Sequence, residues 1–540
     1  MGRVRSALSQ VNKKLTIQLA ALLIASSTLL ASGLGLYRDR IINGLYYETY
    51  KSGLDAYTVA FSIPDFMFFL LVSGALSVTF IPVFNQRLAS GNKKSAWELS
   101  TSLLNFMALV TFVACILIII FAEPLVHYVV GPGLDEASSS LAVSMMRVIA
   151  INPFLFAIAT VIASMQQAVG RFTFYALAPA LYNSGIIIGA LFFTNGISIF
   201  GWQVFEGGIM GVALGVVLGS VLQLIVSSIG LLGMGFDYNF KIYWKNKGFK
   251  TVLFLLPPRS LDQAADYVNG LVEMNLASRM ADGTIRAYQQ VTALHQVPIN
   301  LIGVAISTAA FPQMTERLAQ GRPDLFKKEL QSILRVIIWL AMPVAVITFF
   351  TRGYLVNFIM NGGDPLMSSL LGILSIAILF RSIYHISARS FYAQQDTKTP
   401  LYISIFTVGL NIALSVWLTI VLDTGAYGLA WAQTIVAFLE VVVLFTIMSI
   451  RIKGLFDAKF IHAITRMTVA TIFMGVITYI SVLLFQFNAN DQSFLTTFPK
   501  FFIIVAISLS VYILFSRILK LYEASLVTKR IQAILFSRIN

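Results

Sequence analysis

The 540-residue sequence predicts an all-α, polytopic membrane protein of fourteen transmembrane helices, built as two parallel six-helix lobes plus two extra C-terminal helices. Three observations carry that expectation. First, 57% of the residues are hydrophobic, only 11% are charged, and the mean hydropathy is +0.81, far more apolar surface than a water-soluble chain of this length has use for. Second, the apolar residues fall in runs of about 20, the length that spans a bilayer as a helix, and not in the alternating ten-residue segments of a membrane barrel. Third, the chain repeats. Gly74–Gly91 (GALSVTFIPVFNQRLASG) returns 230 residues later as Val304–Gly321 (VAISTAAFPQMTERLAQG), with seven of eighteen positions identical. Gln166, Gln167 and Asn183 echo in Gln394, Gln395 and Asn411 at an offset of 228. Two echoes agreeing on one period indicate a duplication, and duplicated membrane proteins commonly hold a transport site between their halves.

Taken in order, spans are expected near 15–37, 57–86, 98–122, 140–167, 174–194, 206–234, 252–278, 285–315, 327–350, 367–393, 399–422, 426–449, 463–486 and 498–520. Span 1 follows Arg3, Arg5, Lys13 and Lys14 and is too long for the apolar region of a signal peptide. With the N-terminus in the cytoplasm, the segments facing inward hold 25 Lys and Arg and those facing outward hold seven. This excess places both termini in the cytoplasm. The two copies of the repeated motif lie six spans apart and so run the same way through the membrane. The expected divisions are 1–245, 246–455 and 456–540. The net charge of +14 is read as contact with anionic lipid heads, not nucleic acid. The single cysteine, Cys115, forms no intrachain disulfide and reads as a packing residue.

Charged groups at membrane depth cost roughly 2.5–3.5 kcal/mol on insertion scales, so they should face a cavity or a partner. Span 7 is the richest case. Arg259, Asp262, Asp266 and Glu273 share one helical face with Asn269 and Gly270, behind the break at Pro257 and Pro258. Two readings fit: a cavity wall that gates transport and binds a coupling cation, Na+ or H+, or internal pairing that merely allows burial. Arg38, Asp39 and Arg40 close span 1, Asp55 and Asp65 flank the start of span 2, and Arg147, Arg381 and Arg389 lie in or near spans 4 and 10. His127, His295 and His385 lack metal-ligand spacing. No phosphate loop, catalytic triad or metal cluster is visible, so neither an enzyme nor a cofactor is expected.

Four stretches carry a resemblance. Arg38-Asp39, Asp55-Ala56-Tyr57 and Ile63-Pro64 form an opening pattern. Gly131–Asp135 (GPGLD), Gly170-Arg171-Phe172 and Ala178–Asn183 (APALYN) follow, then Pro298–Pro312 (PINLIGVAISTAAFP) and Phe391–Pro400 (FYAQQDTKTP). In this order they resemble the MviN/MurJ lipid II flippases of the wider multidrug/oligosaccharidyl-lipid/polysaccharide exporter superfamily. The resemblance implies two lobes around a cationic cavity, a groove from spans 13 and 14 for a polyprenyl tail, and transfer of an undecaprenyl-diphosphate-linked peptidoglycan precursor between leaflets. On that basis Arg38, Asp39, Arg259, Arg279 and Arg286 would bind the head group, and Asp262, Asp266 and Glu273 would couple the ion. Bilayer lipids and cell-wall synthesis enzymes are the implied partners, and the bacterial cytoplasmic membrane the location. The chain departs from the pattern at three positions where the family has arginine: Ser32, Phe69 and Ala293. Those departures leave two alternatives: export of another lipid-linked oligosaccharide or an amphipathic cation, or a transport-inactive scaffold.

Overall fold

A computed structural model describes residues 17–72, 75–199, 202–236, 238–487, 491 and 493–525. Of these, the side chains of 17, 18, 20, 21, 75–78, 197, 199, 202, 204 and 257–266 are not described. The chain is helical almost throughout and divides into two compact units, Met1–Arg286 and Ala287–Asn540. Among the described residues, twelve helical stretches are long and apolar enough to cross a membrane. The helices expected as spans 1 and 7 are present as Ile17–Tyr46 and Lys247–Ala277 but do not belong to those twelve.

The first unit contains α1 (Ile17–Tyr46), α2 (Lys51–Leu71), α3 (Ala75–Ala89), α4 (Lys93–Pro124), α5 (Glu136–Ile149), α6 (Asn152–Ala168), α7 (Thr173–Phe192), α8 (Met210–Ile229) and α9 (Lys247–Ala277). Expected span 4 is one membrane stretch, Glu136–Ala168, interrupted by a turn at 150–151, where Pro153 restarts the chain as α6 with no amide hydrogen to continue the ladder from α5. A short antiparallel hairpin, β1 (Ile197–Ile199) and β2 (Trp202–Phe205), joins α7 to α8; the all-α expectation did not foresee it. α7 and α8 pack backbone to backbone. A Cβ on Gly189 would come within 2.3 Å of the Gly215 Cα, and one on Gly185 within 2.3 Å of the Gly219 Cα. With no side chain between them, the two backbones touch. Phe80, Phe84, Leu99, Leu103 and Phe249 are fully buried in the core where α3, α4 and α9 meet.

The second unit contains α10 beyond its first turn (Thr284–Ile299), α11 (Ala305–Ala319), α12 (Pro323–Ile359), α13 (Pro365–Ala393), α14 (Lys398–Val416), α15 (Ala426–Arg451), α16 (Ala458–Leu484) and α17 (Phe494–Ile518). A wide turn at Asn300–Val304 connects α10 to α11 as one span. Helix α17 docks by hydrogen bonds as well as apolar contact: Trp339 Nε1 donates to Ser516 Oγ at 3.2 Å and Tyr512 donates its hydroxyl to the Trp339 carbonyl at 2.9 Å. In a bilayer, where apolar burial between helices is weakly driven, such bonds fix register.

The loop before α14 is held by the FYAQQDTKTP motif. Asp396 accepts the Thr399 hydroxyl at 2.6 Å and its amide at 3.0 Å, and pairs with Arg451 at 2.7 Å. These bonds, Thr399's first and then Arg451's, hold the Asp396 carboxyl down to about 2. A lowered carboxyl contributes stability above its ordinary value near 3.9 and loses it only as pH falls toward 2. Amide exchange protection at 398–399 is therefore expected to be the same at pH 8 and pH 5, and to fall at both in Asp396→Asn. A wild-type change across that window would refute the pairing.

Candidate functional site

The polar residues of the opening motif converge in the first unit. Arg38, Asp39 and Asn43 lie near the end of α1, within about one and a half helical turns. Arg38 is clamped from both sides. Its Nε and Nη2 reach Asp39 at 3.0–3.2 Å, and its Nη1 donates to Asn183 Oδ1 on α7 at 3.0 Å. Asn183 is itself oriented, donating Nδ2 to the carbonyls of Ala31 at 3.1 Å and Pro179 at 3.2 Å. The Arg38 side chain keeps 23% of its surface open.

Arg286 is different in kind. Its side chain is 4% exposed, its Nη2 lies 3.3 Å from Asp39 Oδ1, and its Nε donates to Asn43 Oδ1 at 2.9 Å. Asp55, 3% exposed, accepts the Gly283 amide at 2.6 Å and the Arg286 amide at 2.8 Å. It therefore caps the first turn of α10 from α2. Asp55, Arg286, Asp39, Arg38 and Asn183 form one continuous chain of contacts across α2, α10, α1 and α7. The GPGLD motif has a structural role nearby: Gly133 lies so close to the Ser278 and Arg279 backbone that a Cβ would fall 2.3 Å from the Ser278 carbonyl oxygen.

Of the remaining expected residues, Arg279 is exposed and reaches Asn275 at 3.4 Å, outside the contact chain. Glu273 is buried and accepts from Asn269 Nδ2 at 3.0 Å. Arg259, Asp262 and Asp266 lie on α9, but their side chains fall outside the described residues. At the three departures from the family pattern, Ser32 and Ala293 are exposed, while Phe69 stacks on Tyr267 with ring centroids 4.3 Å apart.

The second unit holds a polar centre that sequence reasoning passed over. Glu440, 2% exposed on α15, accepts from Arg381 on α13 at 3.2 Å and from Thr407 on α14 at 3.1 Å. Arg381 alone was noticed in the sequence; the signal for its partner was a lone glutamate inside an otherwise apolar run. Among the described residues no group of acidic, histidine or cysteine side chains has the arrangement of a metal site.

Residues 51–498 match the family model described as "Lipid II flippase MurJ". The chain belongs to the MurJ lipid II flippase family. A MurJ relative from Thermotoga maritima, named a probable lipid II flippase, is 26% identical over 506 residues, 92% of this chain and 95% of its own length. The lipid II flippase MurJ of Burkholderia cenocepacia is 26% identical over 402 residues, 72% of this chain and 75% of its own. The MurJ fold is shared as well. The structure described as "Lipid II flippase MurJ, inward closed conformation" superposes with a TM-score of 0.73 at 23% identity, covering 92% of this chain and 98% of that one. An inward-facing multidrug transporter of the MATE family superposes at 0.66 with 15% identity, over 81% of this chain and 99% of its own. This MurJ-family chain is thus a multi-pass membrane protein built on a transporter fold.

Proposed function

We propose that the protein moves lipid II, the undecaprenyl-diphosphate-linked peptidoglycan precursor, from the inner to the outer leaflet of the bacterial cytoplasmic membrane by alternating access. The family match over residues 51–498 carries this reading. In it, α1 and α9 count as spans 1 and 7, giving fourteen, grouped as 1–245, 246–455 and 456–540 with both termini cytoplasmic. Arg38 takes the diphosphate, because a partly open guanidinium held in a fixed orientation replaces phosphate hydration at little ordering cost. Arg259 and Arg279 add positive charge. Arg286, buried and engaged by Asp39 and Asn43, serves as a positioning residue for Arg38. Asp262, Asp266 and Glu273 gate the path and couple Na+ or H+.

The lipid tail stays in an apolar environment throughout. A groove of about 740 Å³ in the second unit suits it, with Val346, Phe350, Ile376, Leu379 and Ile472 among its walls and no charged lining residue. It is formed by α12, α13 and α16, whereas the resemblance pointed to the last two spans.

The test is complementation of a strain depleted of its own lipid II flippase. Expression of this chain is expected to restore growth, and Arg38→Ala, made to the same membrane level, to abolish it. Failure of the well-expressed wild type would overturn the assignment.

A further inference from the structure

The first unit carries a basic pocket of about 780 Å³ that the transport reading does not use. Its walls are the first turn of α4, Arg87 from α3, and the segment 242–247 leading into α9. Four basic side chains line it, Arg87, Lys94, Lys245 and Lys247, against one acidic, Glu98.

The pocket is assembled by specific contacts. Asn246, 8% exposed, donates Nδ2 to the Ser95 carbonyl at 3.0 Å and to Ser95 Oγ at 3.2 Å. Its Oδ1 accepts the Gly248 amide at 3.0 Å and the Phe249 amide at 3.3 Å, capping α9. Asn92 caps α4 by accepting the Ser95 amide at 3.0 Å. Two helix N-termini, each a partial positive charge, therefore meet at Ser95. Arg87 donates Nη1 to Ser95 Oγ at 2.8 Å, and its guanidinium lies so close to Gly248 that a Cβ there would sit 2.3 Å from Nε. That Nε is buried and donates to nothing. A guanidinium held in place by Ser95 and flanked by ammonium groups and two helix N-termini suits a phosphate.

The rim indicates the source of that phosphate. Trp244, in the pocket wall, is 54% exposed, Phe240 four residues before it is 89% exposed, and the pocket stands at the end of the Lys93–Val130 span. Aromatic rings and lysines at the end of an apolar span are the composition of the headgroup layer. We propose that this pocket binds the phosphate of an anionic phospholipid headgroup at the membrane surface.

The purified full chain, offered phosphatidylglycerol or phosphatidylcholine, is read by native mass spectrometry. Wild type is expected to retain phosphatidylglycerol about tenfold over phosphatidylcholine, and K245Q/K247Q to lose that preference, with millimolar inorganic phosphate having no effect. Both lysines are exposed, so the double variant keeps its fold, and R87Q should shift the same way. Equal retention of the two lipids, an unchanged double variant, or displacement by inorganic phosphate would each overturn the proposal.

Discussion

Gly215→Val is expected to leave almost no folded protein. A Cβ at 215 would lie 2.6 Å from the Gly189 Cα and 3.1 Å from the Gly185 carbonyl oxygen, and both are backbone atoms that no rotamer can move aside. Overpacking a core costs roughly 1–3 kcal/mol when side chains can yield, and more when they cannot. Gly211, Gly215 and Gly219 recur every fourth residue along α8 and meet Gly185 and Gly189 on α7, so one added side chain separates the helices along several turns. The consequence reaches the functional site. Asn183 sits two residues before Gly185 and accepts the Arg38 guanidinium at 3.0 Å, so displacing α7 releases Arg38. Size-exclusion profiles and thermal unfolding in detergent should rank wild type above Gly215→Ala and Gly215→Val last. Gly409→Ala is the control: nothing lies within 4 Å of its Cβ position on α14, and alanine should be neutral or favourable in a helix. A Gly215→Val protein that melts with wild type would show that the two backbones do not touch.

That glycine pattern was legible in the sequence as GIIIG followed by GVALGVVLG, yet hydropathy reads both segments only as apolar. Hydropathy counts side chains, and here the information lies in their absence. The apolar runs themselves were readable because a bilayer demands length and continuity, and the expected spans have helical counterparts in order. The breaks were not so readable. Span 4 is interrupted just before Pro153, and Pro298 sits inside a continuous helix, because neighbouring contacts decide whether a proline interrupts. Charged residues were easy to find and hard to assign. Arg38 and Arg286 look alike in sequence, but one keeps an open face and the other is consumed by Asp39 and Asn43. Only the fold, which brings Asn183 and Asp55 to them from 145 and 231 positions away, tells their surroundings apart.

Asp55→Ala should give the second large effect, through the same chain of contacts. The carboxylate accepts two amides, Gly283 and Arg286, at the first turn of α10. At 3% exposure, water does not replace it. A lost cap costs about 0.5–2 kcal/mol, and each buried amide left without an acceptor about 1–3 kcal/mol. A loss of several kcal/mol is a large share of the stability of an ordinary domain. Asp55→Asn keeps one acceptor oxygen but turns an NH2 group toward the other amide, so it should fall between alanine and wild type. The turn also sets Arg286, which holds Asp39, which holds Arg38. If the relay is intact, Asp55→Ala and Arg38→Ala should be strongly non-additive in thermal unfolding, the double variant melting no lower than Asp55→Ala alone. Additive losses would mean that Asp55 acts by a separate route, and an unchanged melting temperature in Asp55→Ala would mean that the cap is not made.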